Sequence, residues 1–313
     1  MNIVLLNNPN SGRATGGAVA DGLAARLEEA GHDVTRLSAS KGITPHALGA
    51  PLRKAGLLVV AGGDGTLHHA LPAIVETGVA FYHFPMGTEN LFTREFGMDR
   101  RPETLLRAIE RGEVQRCDAG QVEAEDPPRS VGASEDPPRS VGVPGAGVLF
   151  SLMVSVGFDA CVVERVAAAR RGGVTRSAYV RAAVRELMRP RVPRVTVVAD
   201  GRRVVDGAEG MLVVANSRQY AARLNPAAEA SMSDGLLDVV FFPHRTAVGL
   251  ARWLTASAGG FAASVPGVIT AKAERIEVEV DRPTPRQIDG EAAGAVSRMS
   301  VGVRPGVLNV LVP

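Results

Sequence analysis

Five consecutive residues, Gly62-Gly63-Asp64-Gly65-Thr66, carry the strongest chemical signal in the chain. They follow the apolar run Leu57-Leu58-Val59-Val60-Ala61 and precede Leu67, from which a helical pattern continues. Glycine has no Cβ, so the backbone N–H groups of Gly62, Gly63 and Gly65 can approach phosphate oxygens closely. A helix opened by Thr66 adds partial positive charge, and Asp64 can hold Mg²⁺ directly or through water. The segment reads as a nucleotide phosphate site. Taken alone, it also suits a tight strand-to-helix turn with an exposed aspartate.

Two further polar turns stand in the same relation to an apolar run. Asn8-Pro9-Asn10-Ser11-Gly12 follows residues 3–6, and Thr88 and Asn90 follow residues 79–84. In an open parallel sheet all three turns fall on one edge and can serve one nucleotide with backbone donors and hydroxyls. Lysine is confined to Lys41, Lys54 and Lys272. That excludes a Walker A loop, which needs Gly-Lys-Ser/Thr.

The elements that would hold these turns alternate. Strands are expected at 3–6, 34–37, 57–61 and 79–84, with helices after 12, at 46–55, from 66, and at 91–96 and 102–110. Pro72 should kink the third helix or stop it early. This order implies a parallel sheet covered by helices, an α/β nucleotide-binding domain. After Arg116 the character changes to strands at 121–125, 149–156, 195–199, 211–215, 237–242, 276–280 and 307–312. One helical insertion at about 161–188 interrupts them. The expected division is residues 1–118 as the nucleotide domain and 119–313 as an antiparallel sandwich-like domain. Within the latter, Glu125-Asp126-Pro127-Pro128-Arg129-Ser130-Val131-Gly132 recurs at 135–142. Charged and proline-rich, the 125–145 segment reads as a mobile hairpin insertion.

Composition narrows the class. The 313 residues are 45% hydrophobic and 22% charged, as in a globular protein. No run approaches the roughly 18–20 apolar residues of a membrane span. Met1-Asn2-Ile3-Val4 lacks the basic flank of a signal peptide, and Cys117 and Cys161 have no paired spacing, so a cytoplasmic setting is expected. The formal charge of +2 argues against a dedicated nucleic-acid partner. Between 164 and 194, however, nine arginines face Glu164 and Glu186 alone. That stretch reads as a helix burying Val180, Val184, Leu187 and Met188 with Arg181 and Arg185 outward. Its basic face could attract an anionic lipid surface, or could be an ordinary solvated face.

Asn-Pro-x-Ser-Gly, Gly-Gly-Asp-Gly-Thr and Pro-x-Gly-Thr-x-Asn, in this order and spacing, resemble the diacylglycerol kinase catalytic domain. That superfamily includes bacterial soluble lipid kinases, sphingosine kinases and ceramide kinases. Val156-Gly157-Phe158-Asp159-Ala160, Asp234-Gly235-Leu236-Leu237-Asp238 and Asp289-Gly290-Glu291 extend the resemblance over the whole chain apart from the proline-rich repeat. It implies a phosphofructokinase- or NAD kinase-like α/β domain, a C-terminal β-sandwich, and a cleft between them. It implies ATP and Mg²⁺ as cofactors, and a lipid substrate met at the membrane surface, with peripheral association at the inner membrane. The sequence is compatible with a homodimer.

The resemblance also assigns roles. Asn8, Asn10, Ser11, Gly12, Gly62, Gly63, Asp64, Gly65, Thr66, Leu67, His68, His69 and Thr88 would contact ATP, and Ser38 stands where a nucleotide-contacting threonine is frequent. Asp64 would be the Mg·ATP aspartate. Asp289 and Glu291 would supply the general base, most often the glutamate in bacterial members; alone, that triplet is simply a turn with solvated charges. Ser231, Asp234 and the Leu236 carbonyl would form a structural Mg²⁺ site, unless Asp234-Gly235 is an ordinary hairpin turn. Departures concern His68-His69, where Asn-Glu is frequent, the segment after Thr88, and Ala221-Ala222-Arg223, where glycines are frequent. Together these features imply transfer of the ATP γ-phosphate to a hydroxyl of diacylglycerol or a related lipid. The alternatives are an NAD kinase, which shares the Gly-Gly-Asp-Gly-Thr turn, and a catalytically silent nucleotide- or lipid-binding regulator.

Overall fold

A computed structural model describes residues 1–9, 16–39, 45–124, 147–169, 176–188 and 191–313. Asn10, Ser11, Gly12 and the 125–145 repeat lie outside the described residues. The chain forms two compact units, Met1–Asp118 together with Pro305–Pro313, and Ala119–Arg304. The last nine residues return to the first unit, whereas the expected division places them with the second.

The first unit alternates β1 (Asn2–Asn7), α1 (Gly16–Glu29), β2 (Asp33–Ser38), α2 (Pro45–Leu52), β3 (Leu57–Gly62), α3 (Asp64–Thr77) and β4 (Phe81–Pro85). Helices α4 (Leu91–Glu95) and α5 (Pro102–Arg111) follow. β1 pairs in parallel with β2 and β3, and β3 with β4. Asn7 is in register with Ser38 and Ala61, and Gly62 with Pro85. All four strands thus end on one edge, where the polar turns begin. β3 and β4 are buried at every residue, as parallel strands covered on both faces must be. β2 is largely exposed and forms the sheet's margin.

Pro72 does not stop α3. The helix runs on to Thr77 and closes at left-handed Gly78, whose N–H reaches the Ile74 carbonyl. Proline forfeits only its own bond to residue 68, while Leu67, Ala70, Leu71, Ala73 and Ile74 are all buried. At about 1.5–3 kcal/mol for each large side chain, that burial outweighs one lost bond.

The second unit is built mostly of antiparallel strands. β5 (Val114–Ala124) leads into it, followed by β6 (Val148–Phe150), β7 (Met153–Val156), α6 (Phe158–Ala168), α7 (Arg176–Met188), β8 (Arg194–Ala199) and β9 (Arg202–Ala215). β10 (Leu237–Pro243), α8 (Ala247–Ala258), β11 (Ile269–Ala273), β12 (Arg275–Ile288) and β13 (Glu291–Leu311) complete it. The ladder runs β11-β10-β9-β7-β12-β13, with β8 also paired to β9 and β12. Its core gathers Phe150, Val154, Val156, Val197, Leu212, Val214, Phe241, Ile276, Ile288 and Val301. The end of β13 lies in the first unit, where Val310 pairs in parallel with Phe81 of β4.

The expected helix over 161–188 is two helices, and the second faces the other way. Val180, Val184 and Met188 are exposed, while Ala182 and Glu186 are buried. Glu186 accounts for this orientation. Its carboxylate accepts from Arg165 Nε of α6 at 2.5 Å and from Arg191 N and Nε at 3.2 Å each. A carboxylate clasped between two guanidiniums is held inward more firmly than three aliphatic groups would be.

Candidate functional site

In the first unit the strand-end turns are tied to one another by glycine contacts and one carboxylate. A Cβ on Gly87 would lie 2.7 Å from Gly63 Cα, so these two backbones touch. A Cβ on Gly62 would lie 2.5 Å from Thr66 Oγ1; only glycine leaves room for that hydroxyl. Thr66 Oγ1 in turn accepts from Asn8 Nδ2 at 3.3 Å, joining the turn after β1 to the one after β3.

Asp64 joins the turn after β3 to the one after β4. Its carboxylate oxygens accept the N–H groups of Leu91 at 3.0 Å and Phe92 at 3.1 Å, the first donors of α4. Asn90, left-handed at φ 49°, closes the intervening turn by accepting from Gly87 N at 2.7 Å and donating to Gly87 O at 2.9 Å. Asn90 was visible in the sequence as a polar turn residue, but this bracing role was not assigned. Its signal is the short amide three residues after a glycine.

The other expected nucleotide contacts divide. Thr88 and Ser38 are exposed at the same strand edge, Ser38 in register with Asn7. Leu67 is a core residue with no exposed surface, so its side chain cannot meet a ligand. Thr66 and Leu67 both return their N–H groups to the Gly63 carbonyl, which leaves anion binding to donors earlier in the turn. His68 is half-buried and His69 exposed, with rings 5.5 Å apart. No group of three metal-ligating side chains occurs among the described residues. Behind the turn, fully buried His83 donates from Nε2 to the Gly62 carbonyl at 3.2 Å. Burial lowers its pKa to about 4, so it is the neutral imidazole that braces Gly62.

In the second unit Asp289-Gly290 forms the two-residue loop joining β12 to β13, with Ile288 opposite Glu291. Both loop residues have positive φ, 49° and 82°, the requirement of a type I′ hairpin turn that Asp-Gly meets well. The Asp289 side chain is buried and saturated. Oδ2 accepts from Ser151 N at 2.8 Å and Ser151 Oγ at 3.2 Å, and Oδ1 from Leu152 N at 2.8 Å and Met153 N at 3.1 Å. Glu291, two residues on, is half-exposed and makes no side-chain hydrogen bond or ion pair among the described residues.

A chain of side-chain hydrogen bonds also steadies this hairpin. Gln287 Oε1 accepts from Gly290 N at 2.7 Å, and Gln287 Nε2 donates to Ser155 Oγ at 2.8 Å. Ser155 donates to Asp159 Oδ2 at 2.6 Å, and Tyr220 donates to the same oxygen at 2.5 Å. Burial raises the Asp159 pKa, opposed by its hydrogen bonds from Ser155, Tyr220 and Ala160. Asp159 stood out in the sequence as part of Gly-Phe-Asp-Ala, but Gln287 and Tyr220 gave no signal there.

The expected structural Mg²⁺ site does not fit a metal. Asp234 Oδ2 lies 2.8 Å from Lys272 Nζ, which is also 3.5 Å from Asp238 Oδ2 and donates to the Glu229 carbonyl at 3.3 Å. Asp234 Oδ1 accepts from Leu236 N at 3.2 Å, and Ser231 Oγ accepts from Ser233 N at 3.3 Å. An ammonium already neutralises the carboxylate that a dication would need, and its hydrogen bond to Asp234 raises the Lys272 pKa. Ser231, Asp234 and Leu236 are therefore a lysine-closed turn.

Comparison with known proteins places the chain. Residues 2–122 match the diacylglycerol kinase catalytic domain, and residues 152–312 match the YegS C-terminal NAD kinase beta sandwich-like domain. A "Diacylglycerol kinase" of Mycobacterium tuberculosis is 27% identical over 280 residues, covering 88% of this chain and 84% of the relative. A "Diacylglycerol kinase" of Bacillus subtilis is 24% identical over 297 residues, covering 93% and 89%. A solved Bacillus anthracis protein, described as a candidate diacylglycerol kinase, superposes with a TM-score of 0.74. It is 16% identical and is covered to 96% by the whole of this chain, a likeness of fold. The chain belongs to the diacylglycerol kinase family and is a lipid kinase.

Proposed function

We propose that the protein transfers the γ-phosphate of Mg·ATP to a hydroxyl of diacylglycerol or a closely related lipid, with Glu291 as general base. The observation that carries this reading is the contrast within one hairpin. Asp289 has its carboxylate filled by four donors, whereas two residues on Glu291 has no side-chain partner among the described residues. A carboxylate that must accept a proton needs an unoccupied lone pair, and of these two Glu291 is the one that offers it among the described residues. Asp289 is then a positioning residue that holds the turn.

The first unit is assigned the nucleotide. Gly62, Gly63 and Gly65 let the backbone approach phosphate oxygens, and the N-terminus of α3 favours negative charge there. Asn8, Thr66, Thr88 and Ser38 border the same edge, and Asn10, Ser11 and Gly12 would add to it. Mg²⁺ arrives with ATP as substrate, and Asp64, held by Leu91 and Phe92, is the carboxylate that would face it. The second unit is assigned the acceptor lipid. Most of the rate then comes from positioning and charge neutralisation, as in other phosphoryl transfers.

The test is incubation of the purified protein with labelled ATP, Mg²⁺ and mixed micelles. The panel contains diacylglycerol, monoacylglycerol, a sphingoid base or undecaprenol. Labelled phosphatidate from diacylglycerol is expected; absence of product from every lipid would overturn the reading.

A further inference from the structure

Arg286 of β12 is a half-buried cation that meets no carboxylate among the described residues. Its Nε donates to the Ala293 carbonyl at 2.9 Å, which fixes the guanidinium, while Nη1 is buried and hydrogen-bonded to nothing. Burial lowers the Arg286 pKa, and no neighbouring charge opposes that shift. Arginine stays protonated even so, and its charge is held partly out of water without a counter-ion. Arg165 and Arg191 differ, since both reach inward to the buried Glu186 carboxylate. An unmatched charge of this kind weakens the fold, and such arrangements concentrate at sites that receive a ligand.

The strand register places this cation beside the proposed base. Gln287 lies opposite Ser155 and meets its hydroxyl, so Arg286 and Ile288, opposite Val156 and Val154, take the other face of β12. Ile288 is paired with Glu291 across the hairpin, and paired residues share a face. Arg286, Ile288 and Glu291 therefore line one face of the β12–β13 hairpin. Arg286 and Glu291 are diagonal neighbours on it, a separation of about 7–8 Å that long side chains span. Val154, Val156 and Ile288 belong to the apolar core beside them, where a charge acts more strongly than in water.

We propose that Arg286 binds the phosphate group that the acceptor lipid gains, as a catalytic residue on the acceptor side. The inference rests on the lipid-kinase reading above. In that reaction the lipid hydroxyl oxygen bonds to the γ-phosphorus while the bond from that phosphorus to the β-phosphate oxygen breaks. ADP leaves, and the hydroxyl proton passes to Glu291. The phosphoryl group therefore arrives one bond from the oxygen that Glu291 deprotonates. Its oxygens need a donor there, and Glu291, an anion, cannot supply one. The Arg286 guanidinium, held through Nε, has Nη1 to offer on the same face, and its planar donors suit a phosphate.

The experiment compares wild type, Arg286→Met and Arg286→Lys by calorimetry, steady-state kinetics and urea unfolding. The ligands are dihexanoyl phosphatidate, dihexanoylglycerol and inorganic phosphate. Arg286→Met should bind the phosphatidate about 10-fold more weakly or worse and bind dihexanoylglycerol as wild type does. Its kcat on dihexanoylglycerol should fall by about 10-fold or more with KM unchanged. Its urea midpoint should be equal to or above that of wild type, because an unmatched buried charge is gone. Arg286→Lys should recover part of the phosphatidate affinity. Equal phosphatidate affinity in wild type and Arg286→Met overturns the proposal. An Arg286→Met protein that unfolds earlier and loses both lipids alike makes the arginine structural, and also overturns it. Inorganic phosphate bound as tightly as phosphatidate assigns the cation to a free anion and overturns the lipid assignment. Arg286-dependent phosphatidate binding by a protein that phosphorylates no lipid supports the subsite while sinking the kinase chemistry.

Discussion

Asp289 Oδ1 accepts the Leu152 N–H at 2.8 Å, across 137 residues of sequence. With Ser151 and Met153 the same carboxylate fastens the β12–β13 hairpin to the start of β7. Asp289→Ala strands three backbone donors in a buried site and should cost about 3 kcal/mol in urea unfolding. Its residual activity should track the folded fraction.

Asp64 carries a smaller structural load. Asp64→Ala removes the acceptor for the Leu91 and Phe92 N–H groups at the start of α4. Loss of such a cap costs about 1 kcal/mol, and the KM for ATP should rise with it. Steady-state kinetics beside chemical denaturation separates the two effects.

Two glycine substitutions should act in opposite directions. Gly62→Ala drives a methyl group into Thr66 and should destabilise by about 1–3 kcal/mol. Gly22→Ala, at an exposed position of α1 with nothing within 4 Å of the added carbon, should stabilise by about 0.5–1 kcal/mol. Thermal melting of both variants is sufficient.

His83 gives the stability a defined pH dependence. Burial lowers its folded pKa to about 4, below the 6.5 of a free imidazole, so between those values the unfolded chain binds the extra proton. Stability from this group is complete above about pH 6.5 and falls by about 3 kcal/mol as pH drops to 4. Urea midpoints at pH 7.5 and 4.5 should differ more in wild type than in His83→Phe.

Lys272 should make the folded protein indifferent to divalent cations. In the absence of nucleotide, EDTA and Mg²⁺ should leave the melting temperature unchanged. Lys272→Met exposes Asp234 and Asp238 to one another; it should lose about 1 kcal/mol and become stabilised by added Mg²⁺. A wild type that melts earlier in EDTA would restore the metal site.

What the sequence made legible was local. The apolar runs, the glycines at 62 and 63 and the Asp289-Gly290 turn mark the candidate residues of each unit without coordinates. Two of the misses depend on partners far along the chain. Lys272 meets Asp234 across 38 residues, and Tyr220 meets Asp159 across 61. The valines of α7 have the spacing of a buried face, but a single inward glutamate with two arginine partners turns that face to solvent. Periodicity reports that a stripe exists, and ion pairing decides which side of the helix is inside.

The central claim is that Glu291, and not Asp289, takes the proton from the lipid hydroxyl. It is tested by kcat and urea unfolding of Glu291→Gln measured together. The expected result is a fall in kcat of about 100- to 10,000-fold with stability within about 0.5 kcal/mol of wild type. A Glu291→Gln enzyme that keeps wild-type kcat would contradict it.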